Sequence, residues 1–387
     1  MLFEKRKRQK EDGAVFYPLK VVEQMKRMVD ISYGMKICDP ACGVGKFLLE
    51  AISQDIENLF KLNGSELESK VELYGFDKYS EDNSDRTIIL AKANMLIYLS
   101  KLISENPSPN CTKKVAELFN KTFTLKKTTL GTLEKIEENK YDLILTNPPY
   151  VINGSADIKS IAVATGHYKC NGLGLEALFL EWIIKSLKEK GQALIVVPDG
   201  LLSNLANKKL REYILEKCYI DGIISLPINT FFGTPKKTFI LAVSKKDVDG
   251  LGGTVKQDMP VFTYICNSIG ETLDINRFEI DENDLEYPVN QYRLYKATSE
   301  KQSFQAIIFD KYGKPVIDEK CKLMPISCFY NTVGSGWIID NYWSDEEKIK
   351  LGFKSEVNIL SIAELQSLID VIVESMNEYK EDLECLL

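Results

Sequence analysis

Short apolar, β-branched runs alternate with longer stretches of helical periodicity over the first 245 residues, and this alternation restricts the fold more than any other feature. Strand-like runs near Lys36, Leu73, Thr122, Asp142, Ala193, Gly222 and Phe239 are interleaved with helical stretches at 46–57, 85–100, 175–188 and 205–216. Strands separated by helices do not pair as hairpins; crossovers join them into a parallel sheet with helices on both faces, a doubly wound, Rossmann-like α/β fold. The run Thr238-Phe-Ile-Leu-Ala-Val-Ser244 follows a loop too short for a crossover helix, so an antiparallel last strand is expected there. The glycine-rich stretch 249–253 marks a boundary. The expected organisation is a basic tail at 1–14, the α/β domain at 15–250, a smaller α+β region at 254–355 and a long helix at 361–387.

One strand end carries the clearest chemistry. The apolar run Tyr141-Asp-Leu-Ile-Leu-Thr146 ends in Asn147-Pro148-Pro149-Tyr150. Two prolines fix φ and force the preceding residue into an extended conformation, which allows the Asn147 amide and the Pro148 carbonyl to converge as acceptors beside the Tyr150 ring. That arrangement suits a planar amine; an ordinary strand-to-loop turn is the other reading of these four residues. About a hundred residues earlier, the stretch from Met35 to Ala51, with Asp39, Gly43 and Gly45 at its centre, reads as a strand, a glycine turn and a helix start. It has neither the spacing of a phosphate-binding P-loop nor the six-residue dinucleotide fingerprint. The next strand, Val71 to Asp77, ends in a carboxylate where an α/β nucleotide-binding fold places an acid against ribose hydroxyls, so a ribose-bearing ligand is expected.

With these residues in their order, the chain resembles the gamma group of amino DNA methyltransferases, and within it the modification subunits of type I restriction-modification systems. The resemblance runs from about Val15 to Lys246. It implies S-adenosylmethionine as cofactor, no metal, and methylation of adenine N6 in double-stranded DNA. It also implies roles for particular residues. Phe16, Tyr17 and Pro18 resemble the motif that packs on the methionine end of the cofactor. Asp39, Pro40, Ala41, Cys42, Gly43, Gly45 and Phe47 resemble the cofactor glycine loop, and Asp77, with Lys78 beside it, the ribose-binding position. Asn147, Pro148, Pro149 and Tyr150 resemble the catalytic loop, with Asn147 also at the cofactor, and the segment Phe231 to Thr238 resembles the loop that closes over a flipped base. Tyr150 is then a stacking platform, with Phe231 or Phe232 as the opposite wall, and core packing is the other reading of those phenylalanines. The family often has Asp or Asn before a Thr-Leu or Ser-Leu pair to meet the cofactor's adenine amine. Here Lys127-Thr128-Thr129-Leu130 stands instead, and Thr128 is the weaker acceptor.

Composition excludes other chemistries. A single histidine, His167, leaves one candidate for any imidazole-dependent triad and rules out a multi-histidine metal site. Nine cysteines without a C-x-x-C pair fit reduced thiols, with Cys38 and Cys42 as small core residues. The chain has no apolar run long enough for a bilayer and no signal-peptide core, so a cytoplasmic location is expected. The net charge of −7 is concentrated from Asp340 onward, where 12 acidic residues face 4 basic ones, and does not argue against DNA binding. The cluster Lys5-Arg-Lys-Arg-Gln-Lys10 reads as a phosphate contact or as a solvated tail.

The aromatics between Tyr287 and Trp343 allow either a target-recognition module or a filled core. At the end, Ser361 and Glu364 form a capping-box pattern ahead of a heptad seam from Ile362 to Leu386. Such a helix either packs within the chain or docks a specificity subunit or a second copy. Three functional readings stand open: a DNA adenine-N6 methyltransferase of a restriction-modification or related defence system, an N-methyltransferase for RNA or protein glutamine, and a cofactor-binding assembly subunit without activity. No segment reads as a nuclease, so any restriction activity is expected from another chain.

Overall fold

The computed structural model describes residues 18–78, 84–150, 155–170, 172–231, 236–247, 255–274, 277–297, 307–309, 315–354, 366 and 369–370. Phe16, Tyr17, Phe232, the basic cluster at 5–10, the glycine-rich stretch 249–253 and most of the heptad segment 361–387 lie outside the described residues.

A nine-stranded mixed sheet organises the fold. In chain order its strands are β1 (Lys36–Asp39), β2 (Glu72–Lys78), β3 (Phe123–Lys126), β4 (Tyr141–Thr146), β5 (Leu187–Pro198), β6 (Cys218–Ser225), β7 (Thr238–Lys245), β8 (Val261–Ile265) and β9 (Cys321–Met324). Across the sheet they run in the order 3-2-1-4-5-7-6-8-9. The pairs from β3 through β5 are parallel, whereas β7 lies antiparallel between β5 and β6. The short loop before Thr238 therefore has the consequence expected of it. β4 and β7 are almost wholly buried, with apolar centres that fit a sheet covered on both faces.

The helices used below are α1 (Leu19–Arg27), α2 (Lys46–Ile52), α3 (Ser84–Tyr98), α4 (Pro109–Thr122), α5 (Leu175–Ser186), α6 (Lys208–Lys217) and α7 (Glu286–Ala297). α5 is buried at all but one position, which explains its largely apolar sequence, and the buried Glu181 accepts from the Lys169 and Cys170 N–H groups. The sequence reading passed over α4 and the hairpin of Phe60–Asn63 with Glu66–Ser69.

The boundary expected near residue 250 does not separate two cores. β8 pairs in parallel with β6, and β9 pairs antiparallel with β8, so the sheet continues past the glycine-rich stretch. The physical reason is that β6 would otherwise present an unpaired edge. Phe262 of β8 meets Tyr292 and Tyr295 of α7 at ring-centroid distances of 5.8 and 6.1 Å. These tyrosines, with Phe329 and Trp337, are buried, so they fill a core, while Tyr287 and Tyr330 are exposed. The buried Asp221 and the partly exposed Lys296 form an ion pair at 2.7 Å that pins α7 to β6. Residues up to Tyr342 form one compact unit, and those from Trp343 a second. In the second unit, a capping box between Ser344 and Glu347 starts the short helix Asp345–Lys350. Among the described residues no helix is long and apolar enough to cross a membrane.

Candidate active site

The site lies where the sheet changes winding direction. β1 leads outward to β2 and β4 leads the other way to β5, so the loops leaving the carboxyl ends of β1 and β4 diverge and open a crevice between them. Asp39 ends β1 and Asn147 follows β4. The two ends are bonded directly: Thr146 Oγ1 donates to Asp39 Oδ1 at 2.7 Å, and the Ala41 N–H donates to the same oxygen at 3.1 Å.

Asp39 is fully buried, and its Oδ2 has no hydrogen-bond partner. Burial pushes the carboxyl up to about 7, outweighing the hydrogen bonds from Thr146 and Ala41. The raised value means that the fold favours the protonated acid. Its stabilising contribution is complete below the ordinary carboxylate range and is lost as pH rises through about 7. Asp39→Asn removes this ionisation while keeping the acceptor. At pH 8, without ligand, the variant is expected to exceed the wild type by on the order of 2 kcal/mol. Thermal melts at pH 5 and pH 8 check this; an equal difference at both pH values would refute it.

The glycine loop is built to bring backbone close to a ligand. Gly43 and Gly45 have φ of 49° and 79°, a region that disfavours side chains. Gly45 is the N-cap of α2, and its N–H donates to the Cys42 carbonyl at 2.7 Å. The Cys42 N–H reaches the Phe76 carbonyl of β2 at 2.8 Å, Thr132 Oγ1 reaches the Pro40 carbonyl at 2.8 Å, and Asn94 Nδ2 of α3 reaches the Val44 carbonyl at 3.0 Å. Cys38, Cys42 and Phe47 are buried in the core.

Asp77, near the end of β2, is held above its ordinary value by burial, and its Oδ1 accepts from the Lys78 N–H at 2.9 Å. Lys78 is exposed. Thr128 is exposed too, and its Oγ1 already accepts from the Gly131 N–H at 3.2 Å, leaving one lone pair for a ligand amine.

At the end of β4, Asn147 is 5 % exposed and Pro148 is buried. The Tyr150 hydroxyl donates towards Asn147 Oδ1 and the Val196 carbonyl of β5, which fixes the ring and orients the amide. Tyr150 is partly buried against the core. Phe231 is a correction: at 1 % exposure it belongs to the hydrophobic core, where burial of its ring leaves no face for a base. Pro18 precedes α1, its carbonyl accepting from the Val21 N–H at 3.1 Å. His167 is exposed in a loop. Sequence reasoning missed Thr146, Thr132, Asn94 and the Val196 carbonyl. A hydroxyl ending an otherwise apolar strand was the available signal for Thr146; the others carry no local mark.

The chain matches the family described as N-6 DNA Methylase over residues 2–310. It is 27 % identical over 248 residues to the type I restriction enzyme MpnII methylase subunit of Mycoplasma pneumoniae, covering 61 % of this chain and 41 % of that one. It is 28 % identical over 235 residues to the EcoEI methylase subunit of Escherichia coli, covering 60 % and 42 %. The chain thus spans less than half the length of these curated relatives. Among solved structures, a type I R-M system assembly aligns with a TM-score of 0.57 at 19 % identity, covering 95 % of this chain and 66 % of its own. A modification subunit of a putative type I restriction enzyme from Vibrio vulnificus aligns with a TM-score of 0.52 at 18 % identity, covering 82 % and 61 %. At such identities the structures speak to the fold alone.

Proposed function

The chain belongs to the N-6 DNA methylase family, and from that premise we propose that it transfers a methyl group from S-adenosylmethionine to N6 of an adenine flipped out of double-stranded DNA, as the modification component of a restriction-modification system. The observation that carries this reading is the bond between Thr146 and Asp39, which joins the end of β4, where the Asn147–Tyr150 loop begins, to the glycine loop at the sheet's switch point. A cofactor and an amine held by those two segments are adjacent.

The residues fit the cofactor. Asp39 Oδ2 is a buried polar atom without a partner, and Gly43 and Gly45 expose the backbone beside it. Asp39 to Gly45 would hold the amino-acid end, Asp77 the ribose, and Thr128 the adenine amine. When bound, S-adenosylmethionine supplies a methyl group already activated by its sulfonium.

The chain's own part is alignment and exclusion of water. Asn147 Oδ1 keeps a lone pair beyond the one facing Tyr150, so it can accept an N6 hydrogen while the Pro148 carbonyl accepts the other. Accepting both hydrogens draws the nitrogen lone pair out of conjugation with the ring. Tyr150 holds the Asn147 amide in place and offers a ring edge to the base. The burial of Thr146, Asn147 and Asp39 keeps this corner dry. Target selection is assigned to a separate specificity subunit, since of the two readings of the aromatics between Tyr287 and Trp343, core packing accounts for most of them.

The test is transfer of labelled methyl from S-adenosylmethionine to unmethylated genomic DNA, with RNA and protein as controls, with and without a specificity subunit. Label recovered as N6-methyladenine in DNA is expected. Label in RNA or protein instead, or cofactor binding without transfer under either condition, would overturn the proposal.

A further inference from the structure

The hairpin of Ile269–Glu271 with Glu279–Asn283, in the region expected to be accessory, links the two sides of the site. On one side it holds α1, the helix that follows Pro18. α1 has no side-chain cap of its own, and Glu271 Oε1 accepts from the Lys20 N–H at 3.2 Å, while Lys20 Nζ pairs with Glu279 at 2.6 Å. On the other side, Arg277 Nη2 donates to the Asn229 and Thr230 carbonyls at 2.6 and 2.8 Å, and its Nη1 to the Thr272 carbonyl at 3.3 Å.

The loop gripped in this way needs a clamp. Asn229 sits at a φ of 66°, and Thr230 is fully buried, with its hydroxyl donating to the Pro227 carbonyl at 2.7 Å. Phe231, the next residue, is locked in the core. One nitrogen of Arg277, Nη2, meets both the Asn229 and Thr230 carbonyls while Nη1 reaches the Thr272 carbonyl, so the grip uses two nitrogens held in one plane, positions that the single nitrogen of an ammonium cannot both occupy. Arg277 is itself in the left-handed region at a φ of 53°, with its N–H donating to Asp274 at 3.2 Å, so the hairpin tip is shaped around it.

We propose that Arg277 is a positioning residue for the base side of the site: it fixes the 227–231 loop, which leaves the carboxyl end of β6 on the same edge of the sheet as Asn147, and ties that loop, through the hairpin, to α1 on the cofactor side. Its catalytic consequence rests on the reading of this chain as a base-flipping methyltransferase; the clamp itself does not.

Two variants of the full chain test this, Arg277→Met and Arg277→Lys. Hydrogen exchange is measured at the Thr230 amide, alongside methyl transfer to DNA, S-adenosylmethionine affinity and thermal melting. In Arg277→Met, exchange at Thr230 is expected to quicken at least tenfold and kcat/KM for DNA to fall at least tenfold. Cofactor affinity should stay within about threefold, and Arg277→Lys should recover only part of both losses. Unchanged exchange would refute the clamp whether or not the chain methylates DNA. Loosened exchange with unchanged DNA kinetics would refute the positioning role, as would equal recovery by lysine. A uniform loss of melting temperature, cofactor binding and transfer would reduce Arg277 to a stability residue and also overturn the proposal. Loosened exchange in a chain whose wild type transfers methyl only to RNA or protein would sustain the clamp and sink the DNA reading.

Discussion

Asn147→Ala is expected to lower kcat for methyl transfer to DNA by about 10²–10³-fold, equivalent to roughly 3–4 kcal/mol of transition-state stabilisation. The amide oxygen is the one side-chain acceptor that the proposed chemistry places on the amine. Alanine removes it and takes from the Tyr150 hydroxyl its acceptor at this position, while the contact to the Val196 carbonyl at 3.3 Å stays. Because Asn147 is buried, some stability is lost as well, about 1–2 kcal/mol for a broken internal hydrogen bond. That cost is small enough to leave the protein folded. A melting curve together with cofactor affinity therefore separates lost chemistry from lost structure. Asn147→Asp keeps an acceptor at the position and is expected to retain more transfer than the alanine variant. Transfer by Asn147→Ala within a factor of about three of the wild type would remove this residue from the mechanism.

Gly45→Ala is expected to weaken S-adenosylmethionine binding by more than about tenfold and to destabilise the fold by about 2–4 kcal/mol. Two costs combine. The residue has a φ of 79°, where a Cβ is strained by about 1–2 kcal/mol. An added Cβ would also stand 2.9 Å from two atoms of the Phe123 ring. The same edge of the ring also lies against Gly75, where an added Cβ would come within 2.7 Å of it, so the two glycines together seat the ring. Relieving the contact shifts the ring or the loop, and a shift of the loop carries the Cys42 and Val44 carbonyls with it. Calorimetric titration with S-adenosylmethionine and a chemical melt check both effects. The double variant with Phe123→Leu makes room beneath the loop and should recover part of the stability but not the strain.

Much of this was legible in the sequence, for identifiable reasons. Alternating apolar runs dictate strands buried on both faces, and the short loop before Thr238 left no crossover helix to reverse direction, so β7 had to run antiparallel. The glycines at 43 and 45 and the prolines at 148 and 149 state their backbone requirements locally, because each restricts its own φ or its neighbour's. The resemblance placed Asp39 and Asn147 in one site on the same local evidence. The sequence misled where burial decides. Phe231 stands in a segment that resembles a base-closing loop, yet the core claims its ring; the glycine-rich stretch at 249–253 reads as a boundary, yet β8, further along the chain, pairs with β6 in the same sheet.

By itself, then, the sequence determined most elements of the first 245 residues, the antiparallel run of β7 and the two backbone loops, since all of these depend on residues a few positions apart. Only the tertiary structure decided which groups meet across long separations: Thr146 with Asp39, Tyr150 with the Val196 carbonyl, Arg277 with the Asn229 and Thr230 carbonyls. Each of these is a hydrogen bond between a side chain and a distant partner, and its free energy appears only after the sheet has removed both from water.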